Sequence, residues 1–469
     1  MATLKRKGHN SRTACDRCYE LKERCARSAI GLACTRCDRL RLVCSTTRPV
    51  RPAGRRPNNW NNSVNAAASC ESVIYGTNKE HRMDIDSWFH NGIRVDFRER
   101  QLLRFLLSEP KNFGHHLVSP SFESTEHRSL VALLPTAMPF LKDALLSYAS
   151  GLKFAQASVA ADTYVNASHR YASSAIEILR SLNVTNVQEA ILCLTLGKVL
   201  VLAVYSLIGI GAAEICQYCL NATTAFTNIT ISWDQDLAAQ HNFLIIMETM
   251  DCLVHCRKPA QRFPPRQIGN IDRHLGLCLS LLPCYYDICV ISHSMVDNTE
   301  TASLVYLSKK LDEVRVAVET WQPPPLGDIT NQVKTVDMVN LLAQARVYRL
   351  AALLIIHRLQ YPFGQHDCQA NIWSNEIMKE FELADWATKQ TTRCVTMPYI
   401  VAAIEIQDLS SRLKALEDVD KYVDKFTPTV QRAAKRFLSR IWLERDNKIT
   451  YCWFRSVFKP CPILQAFEF

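Results

Sequence analysis

Six cysteines near the start of the chain stand in two matching triplets. Cys15, Cys18 and Cys25 follow the spacing C-x2-C-x6-C, and Cys34, Cys37 and Cys44 repeat it 19 residues later. A C-x2-C step lets two thiolates grip one metal ion from a tight turn. Six further residues make a short helix that returns a third thiolate to the same ion. Three ligands do not close a tetrahedral structural zinc site, which takes four. Two half-sites of three close together if one thiolate from each bridges both ions, because six sulfurs then fill the eight positions of two tetrahedra. Cys15 and Cys34 lead their halves and are, by order, the natural bridging pair. The internal repeat supplies the two-fold symmetry that such a two-ion site requires.

The charge distribution points the same way. Residues 1–56 carry 15 Lys and Arg against 4 Asp and Glu, while the whole chain of 469 residues has a net charge of +10. The remainder is therefore close to neutral, and the positive excess marks one short segment for a polyanionic partner. The first ten residues, MATLKRKGHN, have charge but no apolar core, so a secretory signal is not expected. Reduced thiols then read as metal ligands before disulfides. With 48% hydrophobic and 21% charged residues the chain has ordinary globular composition, which excludes full-length disorder and a small disulfide scaffold.

The elements that must carry these residues are helical. After Cys44, the Pro-, Arg- and Asn-rich stretch STTRPVRPAGRRPNN reads as a flexible basic linker, taken as residues 49–90. Asp96 and Glu99 form a capping box for a helix that presents Leu102, Leu103, Leu106 and Leu107 on one face and stops at Pro110. Further helices are expected over Ser129–Phe154, Tyr164–Leu182, Val336–Leu359 and Pro398–Leu416. In Thr301–Trp321 the positions Leu304, Leu307, Leu311, Val314, Val318 and Trp321 keep a 3-4 spacing, ended by Pro323 to Pro325, and predict a core-facing helix. Ala190–Ala213 is long enough to cross a bilayer, but Lys198 interrupts it, and a buried core helix is the expectation, with no membrane partner. Alternating strand patterns are nearly absent. The expected fold class is all-α, a small six-cysteine module (residues 12–48) followed by a large helical domain (residues 91–469).

The cysteine segment resembles the fungal-type binuclear zinc cluster, the Zn(2)-C(6) DNA-binding module of fungal transcription regulators. The resemblance implies two Zn²⁺ ions bridged by Cys15 and Cys34. It also implies that the stretch Tyr19-Glu20-Leu21-Lys22-Glu23-Arg24 enters the major groove of double-stranded DNA and reads a CGG-like triplet. Lys22 falls on the family's main base-reading lysine and Arg24 on its last basic position, with Arg17 assisting. This chain departs from the pattern in Tyr19 and Leu21, in the acidic Glu20 and Glu23, and in lacking a proline between Cys25 and Cys34. Arg51, Arg55 and Arg56 are expected to meet phosphates only. The stretches Arg346–Gly364 and Arg440–Asp446 resemble recurring parts of the fungal-specific helical regulatory region, which implies a regulatory role and leaves room for a small-molecule effector.

The expected function is thus a nuclear, zinc-dependent, sequence-specific regulator of RNA polymerase II genes. Any homodimer is assigned to the helical region, with the Leu304–Trp321 face as its candidate. An interaction protein whose zinc module does not read DNA stays open on account of Glu20 and Glu23. No G-x-S-x-G, H-E-x-x-H or P-loop motif occurs, and Gly209-x-Gly211 is followed by Glu214 where a dinucleotide fingerprint needs glycine, so an enzyme is not expected. Cys216 and Cys219, with Cys252 and Cys256, have metal-like spacing but lie in apolar helical stretches and read as buried structural cysteines. His115-His116 reads as a loop without a site.

Overall fold

The computed structural model describes residues 14–21, 25–26, 32–45, 95–156, 161–209, 211–227, 235–263, 271–297, 301–325, 333–424 and 426–454. The chain divides into two units, 1–81 and 82–469. In the first, two five-residue helices, α1 (Asp16–Glu20) and α2 (Thr35–Arg39), hold a small core made of cysteines. The second is all helix. Among the described residues no strand occurs, only an isolated bridge between Asp272 and Gly276.

The second unit starts with the capping box. The Asp96 amide donates to Glu99 Oε2 at 3.0 Å, and the Glu99 amide donates to Asp96 Oδ1 at 2.7 Å, which opens α3 (Phe97–Ser108). Leu102, Leu103, Leu106 and Leu107 are all buried. A 3-10 turn, Pro110–His116, leads to the long α4 (Glu123–Gln156), whose Pro135 and Pro139 lie on its exposed side. On that side the carbonyls left without an amide partner by proline are open to solvent. Next come α5 (Ala161–Ser181), α6 (Val187–Leu207), α7 (Ala212–Thr227) and α8 (Gln235–Val254). Helix α6 is the hub, packed by α4, α5, α7 and α8 and later by the last helix. Its surface is apolar all round because every face meets a neighbour.

The chain continues through α9 (Leu282–Asp297), α10 (Thr301–Thr320), α11 (Thr335–Gln360), α12 (Asp367–Thr388), α13 (Thr396–Ile404), α14 (Leu409–Tyr422) and α15 (Pro428–Asp446). Among the described residues four helices, including α6 and α11, are long and apolar enough to cross a membrane, yet the apolar window of α6 is 83% buried by its neighbours and that of α11 78%. Lys198 sits within α6, buried, and pairs with Glu126 of α4.

Two expectations are corrected. The apolar run Ala190–Ala213 is two helices, because Gly209 and Gly211 take left-handed φ values of +80° and +84° that end α6 and turn the chain into α7. Pro398–Leu416 is also broken. Helix α13 stops at Ile404, and Asp408 caps α14 by accepting from the Ser411 amide at 2.8 Å. On α10, Leu311 and Val318 are buried, and Leu307, Val314 and Trp321 pack on the core, as the 3-4 spacing predicts.

Candidate metal centre and nucleic-acid interface

The two halves of the cysteine repeat fold alike. The Cys18 amide donates to Cys15 Sγ at 3.4 Å, and 19 residues on the Cys37 amide donates to Cys34 Sγ at 3.4 Å. The Cys15 amide donates to Cys25 Sγ at 3.4 Å, and the Cys34 amide to Cys44 Sγ at 3.3 Å. Each short helix is also closed by the other half of the module. The Asp16 amide donates to Ser45 O and the Thr35 amide to Ala26 O, both at 3.0 Å. Ser45 adds a hydroxyl bond to Asp16 Oδ2 at 3.1 Å. The sequence repeat is therefore a structural two-fold.

At its centre the sulfurs of Cys15, Cys18, Cys34 and Cys37 lie within 4.8 Å of one another. Cys15 Sγ stands 3.8 Å from Cys34 Sγ and 3.7 Å from Cys37 Sγ, and Cys18 Sγ stands 3.7 Å from Cys34 Sγ. Cys25 and Cys44 are half-buried and pack against these four. Zinc–sulfur bonds of about 2.3 Å at tetrahedral angles put neighbouring sulfurs about 3.8 Å apart. The donor set and its spacing thus fit tetrahedral thiolate coordination of a metal ion.

The thiols are not equivalent. Burial pushes Cys15 up, but the Cys18 amide and the Cys18 and Cys37 thiols donate to its sulfur and bring it down to about 7. The Cys37 amide is the main cause that brings Cys34 down to about 6. Cys18 is pushed up to about 12 by burial and by its bonds to Cys15 and Cys34. Cys37 rises through its bond to Cys34 and through burial, and Cys25 rises through burial.

Of the residues expected at a nucleic-acid surface, Arg17 is exposed on α1. Lys22, Arg24, Arg51, Arg55 and Arg56, with the linker 49–90, lie outside the described residues. Sequence reasoning passed over Arg39 and Arg41, both exposed on and just after α2. The repeat itself held the signal, since a shift of 19 residues carries Lys22 onto Arg41. Among the described residues no other group of three or more His, Cys, Asp or Glu ligand atoms converges. Cys216, Cys219, Cys252 and Cys256 are buried in the helical core.

The stretches singled out in the helical unit meet one another. Arg358 grips Glu405 through Nε at 2.8 Å and Nη2 at 2.7 Å, and reaches Asp367 at 2.8 Å. Arg445 joins Glu405 at 3.4 Å and Asp367 at 3.6 Å. The two guanidinium groups lie 5.0 and 4.6 Å from the Phe363 ring centre. Trp442 Nε1 donates to Ala403 O at 3.0 Å, and Arg412 holds Asp446 through two bonds. These residues lock α11, α12, α13, α14 and α15 together.

No curated protein and no solved structure matches the chain. A family match does exist, to the fungal specific transcription factor domain, over residues 106–462. It starts after the cysteine repeat and covers the helices from within α3 to beyond α15, about three quarters of the chain. On that match, and with the all-helical architecture that carries it, the chain belongs to the family of fungal-specific transcription factor domain proteins and is a transcription regulator.

Proposed function

We propose that this regulator acts in the nucleus, at RNA polymerase II genes, by binding double-stranded DNA through a two-zinc cluster formed by its six cysteines. Cys15 and Cys34 would bridge the ions. Cys18 and Cys25 would complete one tetrahedron, and Cys37 and Cys44 the other. Bound zinc would supply no chemistry beyond fixing the fold, because four-coordinate thiolate sites are closed. The single observation that carries the reading is the two-fold at the centre of the module, with sulfurs from both halves meeting at 3.7–3.8 Å.

The module is residues 12–48, the linker 49–90 and the regulatory domain 91–469. Lys22 would read base edges of a CGG-like half-site with help from Arg17 and Arg24, while Arg51, Arg55 and Arg56 hold phosphates. Arg39 and Arg41 are exposed and add to the positive charge of the module. The helical domain, which is non-enzymatic on this reading, would tune the module's output in response to a small-molecule effector.

A duplex selection from random sequence tests the reading, run with the zinc-loaded chain and with the chelated one. Enrichment of a CGG-containing site by the loaded chain alone is expected. Equal recovery of all sequences would give the lead to an interaction protein whose module does not read DNA.

A further inference from the structure

A cavity of about 1010 Å³ opens within the helical unit, between the Pro110–His116 turn, α6, α8, α13 and α15. Its size is at the upper end of the range for pockets that enclose drug-sized molecules. The wall includes Phe243, Met247, Met250, Met397 and Phe437. The three thioethers let that wall adapt to an irregular apolar shape.

Most charged groups around the cavity are paired, and Asp424, also on the wall, accepts from the Phe426 amide at 2.9 Å. Arg393 pairs with Glu123 at 3.0 Å, Asp420 with Lys435 at 2.7 Å, Asp251 with His255 and Arg257, Lys421 with Asp385, and Lys111 with Glu109. No unmatched charge among these invites an ion. The His116 ring lines the cavity, and its Nε2 is buried without a hydrogen-bond partner. Tyr205 and Phe243 meet the ring edge-on, each at 6.0 Å. Behind it, His274 Nδ1 donates to the His116 carbonyl at 2.9 Å, which leaves His274 Nε2 to accept from Lys198 at 3.2 Å. The turn that carries His116 is thus tied to the buried Lys198–Glu126 pair. Burial, with His115, His274 and Lys198 close by, holds the His116 imidazole well below its ordinary value, so it is neutral at pH 7. A half-turn about χ2 exchanges Nε2 with Cε1 without backbone movement.

We propose that this cavity binds one uncharged lipophilic molecule bearing a hydroxyl group, with His116 as its polar anchor. A hydroxyl both donates and accepts, so it satisfies either tautomer of a neutral imidazole. A carboxylate would enter an apolar wall with no free cation to meet it and would pay the full desolvation cost. The inference gives chemical content to the effector reading above. It concerns the helical unit alone, so its failure and the failure of DNA reading are separate results.

The test uses the full chain and the neutral fluorophore N-phenyl-1-naphthylamine. Saturable binding at one site per chain is expected. 1-Decanol should displace the probe at least tenfold more effectively than decanoate. His116→Phe should weaken 1-decanol about fivefold to tenfold, the worth of one hydrogen bond, and leave 1-chlorodecane unchanged. Met250→Trp, which fills the cavity, should abolish probe binding while helix content by circular dichroism is retained. If that variant loses its fold, the comparison of alcohol with carboxylate on the unmodified chain still decides. Absence of saturable probe binding, decanoate competing as well as 1-decanol, or an unchanged 1-decanol affinity in His116→Phe would overturn the proposal.

Discussion

Arg358 and Glu405, 47 residues apart, form a two-pronged ion pair in which each side chain is only 1% exposed. The pair joins the end of α11 to the end of α13, and Arg445 of α15 shares the same carboxylate. Buried pairs of this kind contribute little net attraction after desolvation, but breaking one leaves a charge stranded. Glu405→Gln is expected to destabilise the chain by about 3–5 kcal/mol in chemical denaturation. Combining Arg358→Met with Glu405→Leu should cost less than either single change. Equal or additive losses would show that the pair is not acting as a unit.

Gly197 lies in the middle of α6, where glycine is unfavourable by roughly 1 kcal/mol relative to alanine. A Cβ at this position would run into Cys219 Sγ of α7. Gly197→Ala should therefore destabilise, despite the better helix propensity, by about 1–3 kcal/mol through overpacking. Adding Cys219→Ala in the same chain should return part of that loss. A thermal melt in which Gly197→Ala is stabilising on its own would contradict the packing.

Acid should weaken the helical unit in two stages. Burial first, and then the charge of Lys198, lower His274 to about 4. The unfolded ring takes up its proton near 6.5. The folded state resists that proton, so stability is lost as pH falls from about 6.5 toward 4. Burial pushes Glu126 up, but Lys198 foremost, with His274 and Arg273, outweighs it and holds the carboxyl at about 2, against an ordinary 4.5. Its contribution is present above pH 4.5 and is lost as pH falls toward 2. Each group can contribute up to about 3 kcal/mol. Denaturation midpoints measured across this range should show the first stage reduced in His274→Asn and the second reduced in Glu126→Gln. A flat profile in the parent chain would contradict both.

On DNA, Lys22 and the linker arginines should behave differently. Groove-floor contacts to guanine are worth about 1–3 kcal/mol of discrimination, while each phosphate contact adds about −0.9 to the salt slope of log affinity. Lys22→Ala should flatten the preference for a CGG-containing duplex over a scrambled one. Joint replacement of Arg51, Arg55 and Arg56 by alanine should weaken both duplexes alike and make the slope less steep. Salt titrations of both variants on both duplexes read this directly.

Local signals in the sequence carried much of this architecture. The capping box at Asp96 and Glu99, the stop at Pro110 and the core face of α10 depend on neighbours within a turn or two, and periodicity exposes them. Helix α12 was missed because Ile372, Leu383 and Trp386 are exposed apolar residues that blur its pattern. The break at Gly209 and Gly211 was hidden in an apolar run, since glycine adds no polarity. The cysteine centre was legible because both halves repeat the same spacing. The cavity was not, because His116, Met250, Met397 and Phe437 come together only through the packing of four distant segments. His115-His116 read as a loop without a site because no ligand partner stands near it in the sequence.

The account depends first on the two halves of the cysteine repeat forming one two-ion cluster. Native mass spectrometry of the zinc-loaded chain measures this most directly. Two Zn²⁺ per chain are expected, and both should be lost together when Cys34 is replaced by serine, because that sulfur belongs to both tetrahedra. A single zinc in the parent chain, or one ion retained by Cys34→Ser at full occupancy, would contradict the account.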